Sequence, residues 1–286
     1  MSNITPQMVK SLREKTGAGM ADCKKALEEN SGEMESAIEY LRKKGAASAA
    51  KRAEREAKEG SIIARTSLDG KRAILAEVNS ETDFVAKNEG FVNYVKQIGE
   101  ALITSEATTT EELMKCSVGG VAVENLHNDI LAKFSEKIEI RRIKRLSTIG
   151  YIESYIHLGG KLAVLVEVSC DKLTDNGKSL LRDIAMQIAA MNPLHIDKSV
   201  VTQETLEKEK EIEIEKAIAE GKKPEIAERI ATGKIEKYFE DFCLMQQAFV
   251  KDGKKIVSDV VAEIGKECGC DLKILSFTRW TLGGKE

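Results

Sequence analysis

The residues with most chemistry in them stand together near the end of the first third of the chain: Asn79-Ser80-Glu81-Thr82-Asp83-Phe84-Val85-Ala86-Lys87-Asn88. They follow Arg72-Ala73-Ile74-Leu75-Ala76-Glu77-Val78, a run whose apolar residues suit a buried strand. A carboxylate and a phenyl ring side by side, just past a strand end and among polar residues, suit a tip that reaches outward. The residues alone also allow a plainer reading, with Phe84 as ordinary core and Asp83 as the cap of the helix that follows.

Other reactive types do not assemble into a centre. There is no Gly-x-x-x-x-Gly-Lys-Ser/Thr loop to cradle phosphates and no Gly-x-Ser-x-Gly elbow. His127, His157 and His195 have no evident nucleophile partner, and carboxylate pairs such as Asp171 and Asp175 are ordinary in so acidic a chain. Of the six cysteines only Cys268-Gly269-Cys270 is a close pair, with no histidine near it, so zinc is not its expected use. Neither a cofactor nor a resident metal is expected, and the pattern agrees with a protein that acts by contact.

Composition narrows the class further. The chain has 286 residues, enough for two or three domains, with 44 basic and 47 acidic residues and a net charge of −3. That balance argues against nucleic-acid binding by global electrostatics, and aromatics at 5% disfavour a base-stacking surface. No stretch approaches the roughly 20 apolar residues of a membrane helix. The opening Met1-Ser2-Asn3-Ile4-Thr5-Pro6 lacks the pattern of a secretion signal, and a cytoplasmic protein is expected.

The elements that must position the tip are legible. Residues 1–45 read as three short helices: Thr5-Pro6 opens the first, Gly17 and Gly19 break it, and Asn30-Ser31-Gly32 separates the other two. Met20, Cys23, Ala26 and Leu27 make one apolar face of the second helix, and Met34, Ala37, Ile38 and Leu41 one face of the third. Residues 46–59 read as a linker helix. Its basic cluster, which includes Arg42, Lys44, Arg52 and Arg55, is interleaved with acids as on a solvated helix.

The chain then repeats itself. Residues 60–79 and 150–169 align without a gap, with nine identities in twenty, among them Gly60/Gly150, Ile62/Ile152, Gly70/Gly160, Ala73/Ala163 and Leu75/Leu165. Each copy reads as strand, glycine turn, strand, then an amphipathic helix, near Gly90–Leu102 and Gly177–Met191. The second copy has Ser169-Cys170-Asp171-Lys172-Leu173-Thr174 where the first has its tip, so the tip is specialised in one half only. The expected fold is α+β: a core of two related halves, 60–148 and 149–200, the second continued at 239–286. Residues 201–238 interrupt it as a projecting helical hairpin, with Leu206, Ile212, Ile214, Ala217 and Ile218 as a narrow apolar stripe. Phe249-Val250 and Leu272–Phe277 read as a return to the second sheet.

Two blocks carry a family resemblance: Thr82-Asp83-Phe84-Val85, and Leu12-Arg13-Glu14-Lys15-Thr16-Gly17-Ala18-Gly19-Met20-Ala21-Asp22-Cys23-Lys24-Lys25-Ala26-Leu27. Both resemble signatures of the elongation factor Ts family, nucleotide-exchange factors of elongation factor Tu. Weaker matches are Ile138-Glu139-Ile140-Arg141-Arg142, Ala185–Pro193 and Phe277-Thr278-Arg279-Trp280. The resemblance implies a ubiquitin-associated-like amino-terminal module, an inserted coiled coil that could join two factor–Tu complexes, and Tu as protein partner. Direct nucleic-acid and membrane contacts are not implied. It further implies that Phe84 is a wedge entering Tu and that Asp83 disturbs the magnesium surroundings. Thr82 and Val85 complete that motif, His157 is a secondary contact, and Arg13 and Met20 anchor the module. The chain departs from the family pattern at Ala21, Ala163 and Ala248, where methionine, glycine and proline are usual. The alternative from another class is a ubiquitin-like or nucleic-acid-binding adaptor.

Overall fold

The computed structural model describes residues 4–284; Met1–Asn3, part of the opening segment read for a leader, lie outside it. The chain begins with α1 (Pro6–Thr16), α2 (Met20–Glu29) and α3 (Met34–Ala50). Thr5 caps α1 by accepting from the Met8 N–H, proline takes the first position, and Gly17 at φ 70° ends the helix. Leu12, Cys23, Ala26, Leu27, Ala37 and Leu41 make a small core. Met20 departs from the expected face: it opens α2, one turn before that face meets its neighbours, and is 45% exposed.

The linker helix expected over 46–59 is not a separate element. Helix α3 runs unbroken through Gly45 to Ala50, and the chain then turns at Lys51–Arg55. Gly45 does not break the helix; it lets another helix come close, since a Cβ there would lie 2.8 Å from the Ala132 backbone. The basic cluster is correspondingly engaged. Arg42 forms a two-pronged ion pair with Asp129, Lys44 bonds to Asp22, and buried Arg52 donates to the carbonyls of Phe134 and Glu136.

The first half comprises β1 (Glu59–Thr66), β2 (Arg72–Ser80), α4 (Asp83–Ala86), α5 (Glu89–Thr104), α6 (Thr110–Met114), β3 (Ser117–Val118), β4 (Val121–Ala122), α7 (Val123–Lys133) and β5 (Ile138–Ser147). The second comprises β6 (Tyr151–His157), β7 (Leu162–Val168), α8 (Asp175–Met191), the inserted α9 (Gln203–Ala219) and α10 (Pro224–Phe242), then β8 (Ala248–Phe249), β9 (Asp252–Ile256), α11 (Val257–Cys268) and β10 (Ile274–Thr281). Each half builds an antiparallel three-stranded sheet, in the orders β1-β2-β5 and β6-β7-β10. The registers correspond: Ile62 faces Glu77 and Ile152 faces Glu167. Even the bulges correspond, one opposite Glu77/Val78 and one opposite Glu167/Val168. Phe249 pairs instead with β9 in a separate two-stranded ribbon, because β10 already occupies the free edge of β7.

The sheets stack face to face with helices outside. Ile62, Ala64, Ala73 and Leu75 of one sheet meet Ile152, Ala163, Leu165 and Trp280 of the other. Four repeat positions, 62/152, 73/163, 75/165 and 70/160, therefore sit where the halves join. Two equivalent hydrogen bonds clasp them: Ile62 N–H to the Gly160 carbonyl, 2.7 Å, and Ile152 N–H to the Gly70 carbonyl, 2.9 Å. Helices α5 and α7 cover the outer face of the first sheet, and α8 and α11 that of the second. Burial follows the repeat into the helices, at Phe91, Tyr94, Val95 and Ile98 and at Leu181, Ile184, Ala185 and Ile188.

Closure of the chain uses a buried carboxylate. Burial alone would raise the pKa of Glu77, but the Gly283 N–H, Arg142 and Arg141 bond to it and hold it below the usual range. Arg142 also stacks on Trp280, 4.2 Å from the ring centre. Helices α9 and α10 pack on each other mainly through small residues: Ala217, Ala227 and Ala231 are buried. Ile212 and Ile218 of the expected stripe are exposed, because alanines fix the close contact and turn those isoleucines to the flanks. At the base, Val201, Tyr238 and Cys243 form one cluster.

Candidate functional site

The tip starts where β2 ends. Thr82, in extended conformation, caps α4 by accepting from the Val85 N–H. Its own N–H and hydroxyl both donate to Glu136, at 3.0 and 2.7 Å. The neighbouring Glu81 accepts from the Lys137 N–H and pairs with Arg55. Val85 is buried in the first-half core, so its side chain holds the tip from below and is not offered to a partner. Phe84 is left facing solvent at 82% exposure. The plainer reading of this segment is thereby corrected: the cap is Thr82, not Asp83, and Phe84 lies outside the core. So large an exposed apolar side chain on so firmly held a turn is suited to insertion.

Asp83 bonds to Lys87, one turn on, at 2.6 Å, and that bond holds its carboxyl below the usual range. Its charge is therefore present at neutral pH, on a partly exposed side chain. Beside it comes the turn between β6 and β7. His157 is exposed at the end of β6, with Nδ1 2.9 Å from the Tyr155 hydroxyl. Leu158 follows in the left-handed region, at φ 49°, and is 73% exposed. This turn and α4 wall a groove of about 410 Å³, lined by Asp83, Ala86 and Lys87 on one side and Ile156, Leu158 and Lys161 on the other. The departure at Ala163 lies beneath the turn, fully buried between the sheets and opposite Trp280, where it affects packing.

Arg13 and Met20 sit apart from this groove, on the amino-terminal module. Arg13 is exposed in the last turn of α1 and has no ion pair among the described residues. Met20 and Ala21 border a shallow pocket of about 440 Å³ with Ile4, Pro6, Val9 and Lys24. The side chain of Lys133 lies against both Gly17, after α1, and Gly90, at the start of α5, which connects the module to the segment behind the tip.

Glu136 and Lys87 escaped sequence reasoning. Glu136 is 54 residues from Thr82 in sequence, and no local pattern links the two. Lys87 carried a signal, four residues after Asp83 on one helical face. His127 does have a partner, the Tyr94 hydroxyl at 2.6 Å, and burial lowers its pKa to about 4. That pair packs α7 on α5. Among the described residues no group of three His, Cys, Asp or Glu side chains is arranged to hold a metal ion. Among the described residues no helix is long and apolar enough to cross a membrane.

A braced apolar tip, a groove beside it and a separate helical module are surfaces suited to contact with another macromolecule. Comparison with known proteins gives the family. The sequence model of a family described as Elongation factor TS matches residues 81–284. The Elongation factor Ts of Chloroherpeton thalassium is 46% identical over 290 residues, covering all of both chains. Those of a Nitratiruptor species and of Clostridium kluyveri are each 46% identical over 284 residues, 98% of this chain and 93% of theirs. The chain belongs to the elongation factor Ts family, and its role is that of a translation elongation factor.

Proposed function

We propose that the chain is a cytoplasmic guanine nucleotide exchange factor. It binds elongation factor Tu in its GDP form and speeds GDP release, allowing GTP to reload, with no covalent bond made or broken. The observation that carries this reading is Phe84, exposed on a tip held by Glu136, Thr82 and Val85. A nucleotide and its magnesium are held by many charge-assisted contacts. A rigid apolar wedge at their edge favours a conformation of the GTPase that holds them poorly. Asp83 delivers a negative charge beside the wedge, toward the magnesium surroundings, and exchanges its bond to Lys87 for contacts in the complex. His157 makes a second contact from the other half, and Arg13 and Met20 anchor the amino-terminal module, which we read as ubiquitin-associated-like. The pair α9–α10 is read as a coiled coil that joins two factor–Tu complexes into a dimer of heterodimers.

Linkage tests this reading. If the chain weakens GDP binding to Tu by some factor, GDP weakens binding of the chain by the same factor. Each tenfold corresponds to about 1.4 kcal/mol. Titrating GDP with Mg²⁺ into the preformed complex is expected to dissociate it. Asp83→Ala is expected to lessen the antagonism, and to matter less without Mg²⁺. Equal affinity for Tu with and without saturating GDP sinks the exchange reading and favours an adaptor.

A further inference from the structure

The groove beside the tip has a counterpart in the other half, and the two differ in an informative way. The clasp bonds place Gly160 against the start of β1 and Gly70 against the start of β6. Next to Gly70 the space is filled: the Tyr151 ring presses on it so closely that a Cβ there would collide. Lys178 lies over that ring, and Arg182 bonds to Glu153 at 3.3 Å. The residues that correspond to Tyr151, Glu153 and Arg182 at the repeat offset are Ser61, Ile63 and Val92. All three line the groove beside Gly160. Both glycines are closely approached, Gly70 by the Tyr151 ring and Gly160 by the Ser61 hydroxyl. Beyond that contact one half carries an aromatic ring and an ion pair, whereas the other carries only a small hydroxyl and aliphatic side chains, which leaves room for the groove.

Packing alone does not call for that difference, since the sheets, registers and bulges around the two positions correspond. The opening is also placed where the molecule is otherwise specialised, because its wall includes Asp83, Ala86 and Lys87 of the tip helix. Val92, Ile156 and Leu158 remain exposed around it, and exposed Phe84 stands on the tip helix that forms part of its wall. Of its rim lysines, Lys87 is paired with Asp83 and Lys161 with Glu59, whereas Lys96 has no ion pair among the described residues. The rim therefore carries one uncompensated positive charge.

We propose that this groove is a second docking surface, which takes an apolar ridge bearing a carboxylate from the same protein that receives Phe84. The proposal rests on the exchange reading, which makes that protein the GTPase. Phe84 belongs to α4, and Asp83 and Ala86 of that same short helix line the groove, so a partner that receives Phe84 stands beside the groove. The ridge fills the space that Tyr151 fills in the other half, and its carboxylate meets Lys96. The wedge acts on nucleotide release, whereas the groove supplies affinity.

The test transplants the plug. Ser61→Tyr, which copies the residue the second half carries at this position, is expected to raise the Kd for nucleotide-free Tu by about tenfold. The maximal rate of GDP release at saturating factor should stay within about twofold, since only uniform binding is lost. Lys96→Glu is expected to raise the Kd as well, with an effect that shrinks as salt is added. If Ser61→Tyr fails to unfold cooperatively, Val92→Asp on the exposed side of α5 takes its place. Unchanged Kd in these variants, with wild-type protein still releasing GDP, overturns the groove proposal and leaves the exchange reading intact. Absence of stimulated release by the wild type overturns the exchange reading itself. Loss of self-association in Ser61→Tyr, with Tu affinity unchanged, assigns the groove to a second copy of this chain and also overturns the proposal.

Discussion

Replacing Phe84 with alanine separates a wedge from an anchor and from core. A phenylalanine buries on the order of 200 Å² when fully covered, and 82% of the residue is exposed. Roughly 160 Å² is therefore available to a partner, worth about 4 kcal/mol at ~25 cal/mol per Å². Incomplete burial in the partner lowers this to about 2–4 kcal/mol, equivalent to about 30-fold to 1,000-fold in rate. If the ring acts in the state from which GDP leaves, that loss falls on stimulated release. Affinity for nucleotide-free Tu then changes much less, because the rest of the interface supplies it. Stopped-flow release of fluorescent GDP at saturating factor, set beside a Kd by titration, measures both. Folding should hardly notice: an exposed side chain contributes within about 0.5 kcal/mol, against about 3–5 kcal/mol for a buried Phe→Ala. Equal losses in rate and affinity would make Phe84 an anchor. A large drop in Tm of the free protein would contradict its exposure and refute the reasoning.

Deleting Thr202–Lys237 and joining the ends with a short Gly/Ser link should leave the core cooperatively folded, because Val201 and Tyr238 already share one cluster and loop length enters only logarithmically. Loss of a cooperative melt would refute this, and altered stoichiometry with Tu would assign α9–α10 to assembly. His127 predicts a pH dependence: its folded pKa is depressed from 6.5 to about 4, so the unfolded chain takes up the proton first. Stability falls as pH drops below about 6.5, by about 1–2 kcal/mol at pH 5 for a partly exposed ring, and the loss is complete below about pH 4. Urea midpoints at pH 7 and pH 5 should therefore differ less in His127→Gln, which can still accept from Tyr94, than in the wild type. An equal difference would remove His127 as the cause.

Much of the fold was legible because it depends on local pattern. Alternating apolar residues around Gly70 and Gly160, each with positive φ, mark two hairpins. A spacing of three and four in α5 and α8 marks the helices that cover them. The errors have physical reasons of one kind. The division of the amino-terminal helices from a linker helix falls at Gly45, and glycine is a poor helix former. In three dimensions it is what lets α7 approach α3. The stripe on α9 reads as isoleucine, yet the contact distance is set by alanines whose partners lie on α10. Phe249 looks like a sheet residue until β10 is seen to occupy the edge it would need.

Local pattern was enough for the α+β class, and the repeat at an offset of 90 residues, the three amino-terminal helices and the Asp83–Phe84 turn are each written in a period, an offset or a turn within a few residues. Which way Phe84 points was settled by contacts distant in sequence. It depends on Glu136 holding both polar groups of Thr82 from 54 residues away, and on Val85 taking the buried position beside it. The groove shared by the tip and the β6–β7 turn has the same kind of origin, because two hydrogen bonds and a face of small and aliphatic residues clasp one half against the other. Neighbours along the chain fix what a residue can do locally. Which surfaces remain uncovered depends on what the rest of the chain covers.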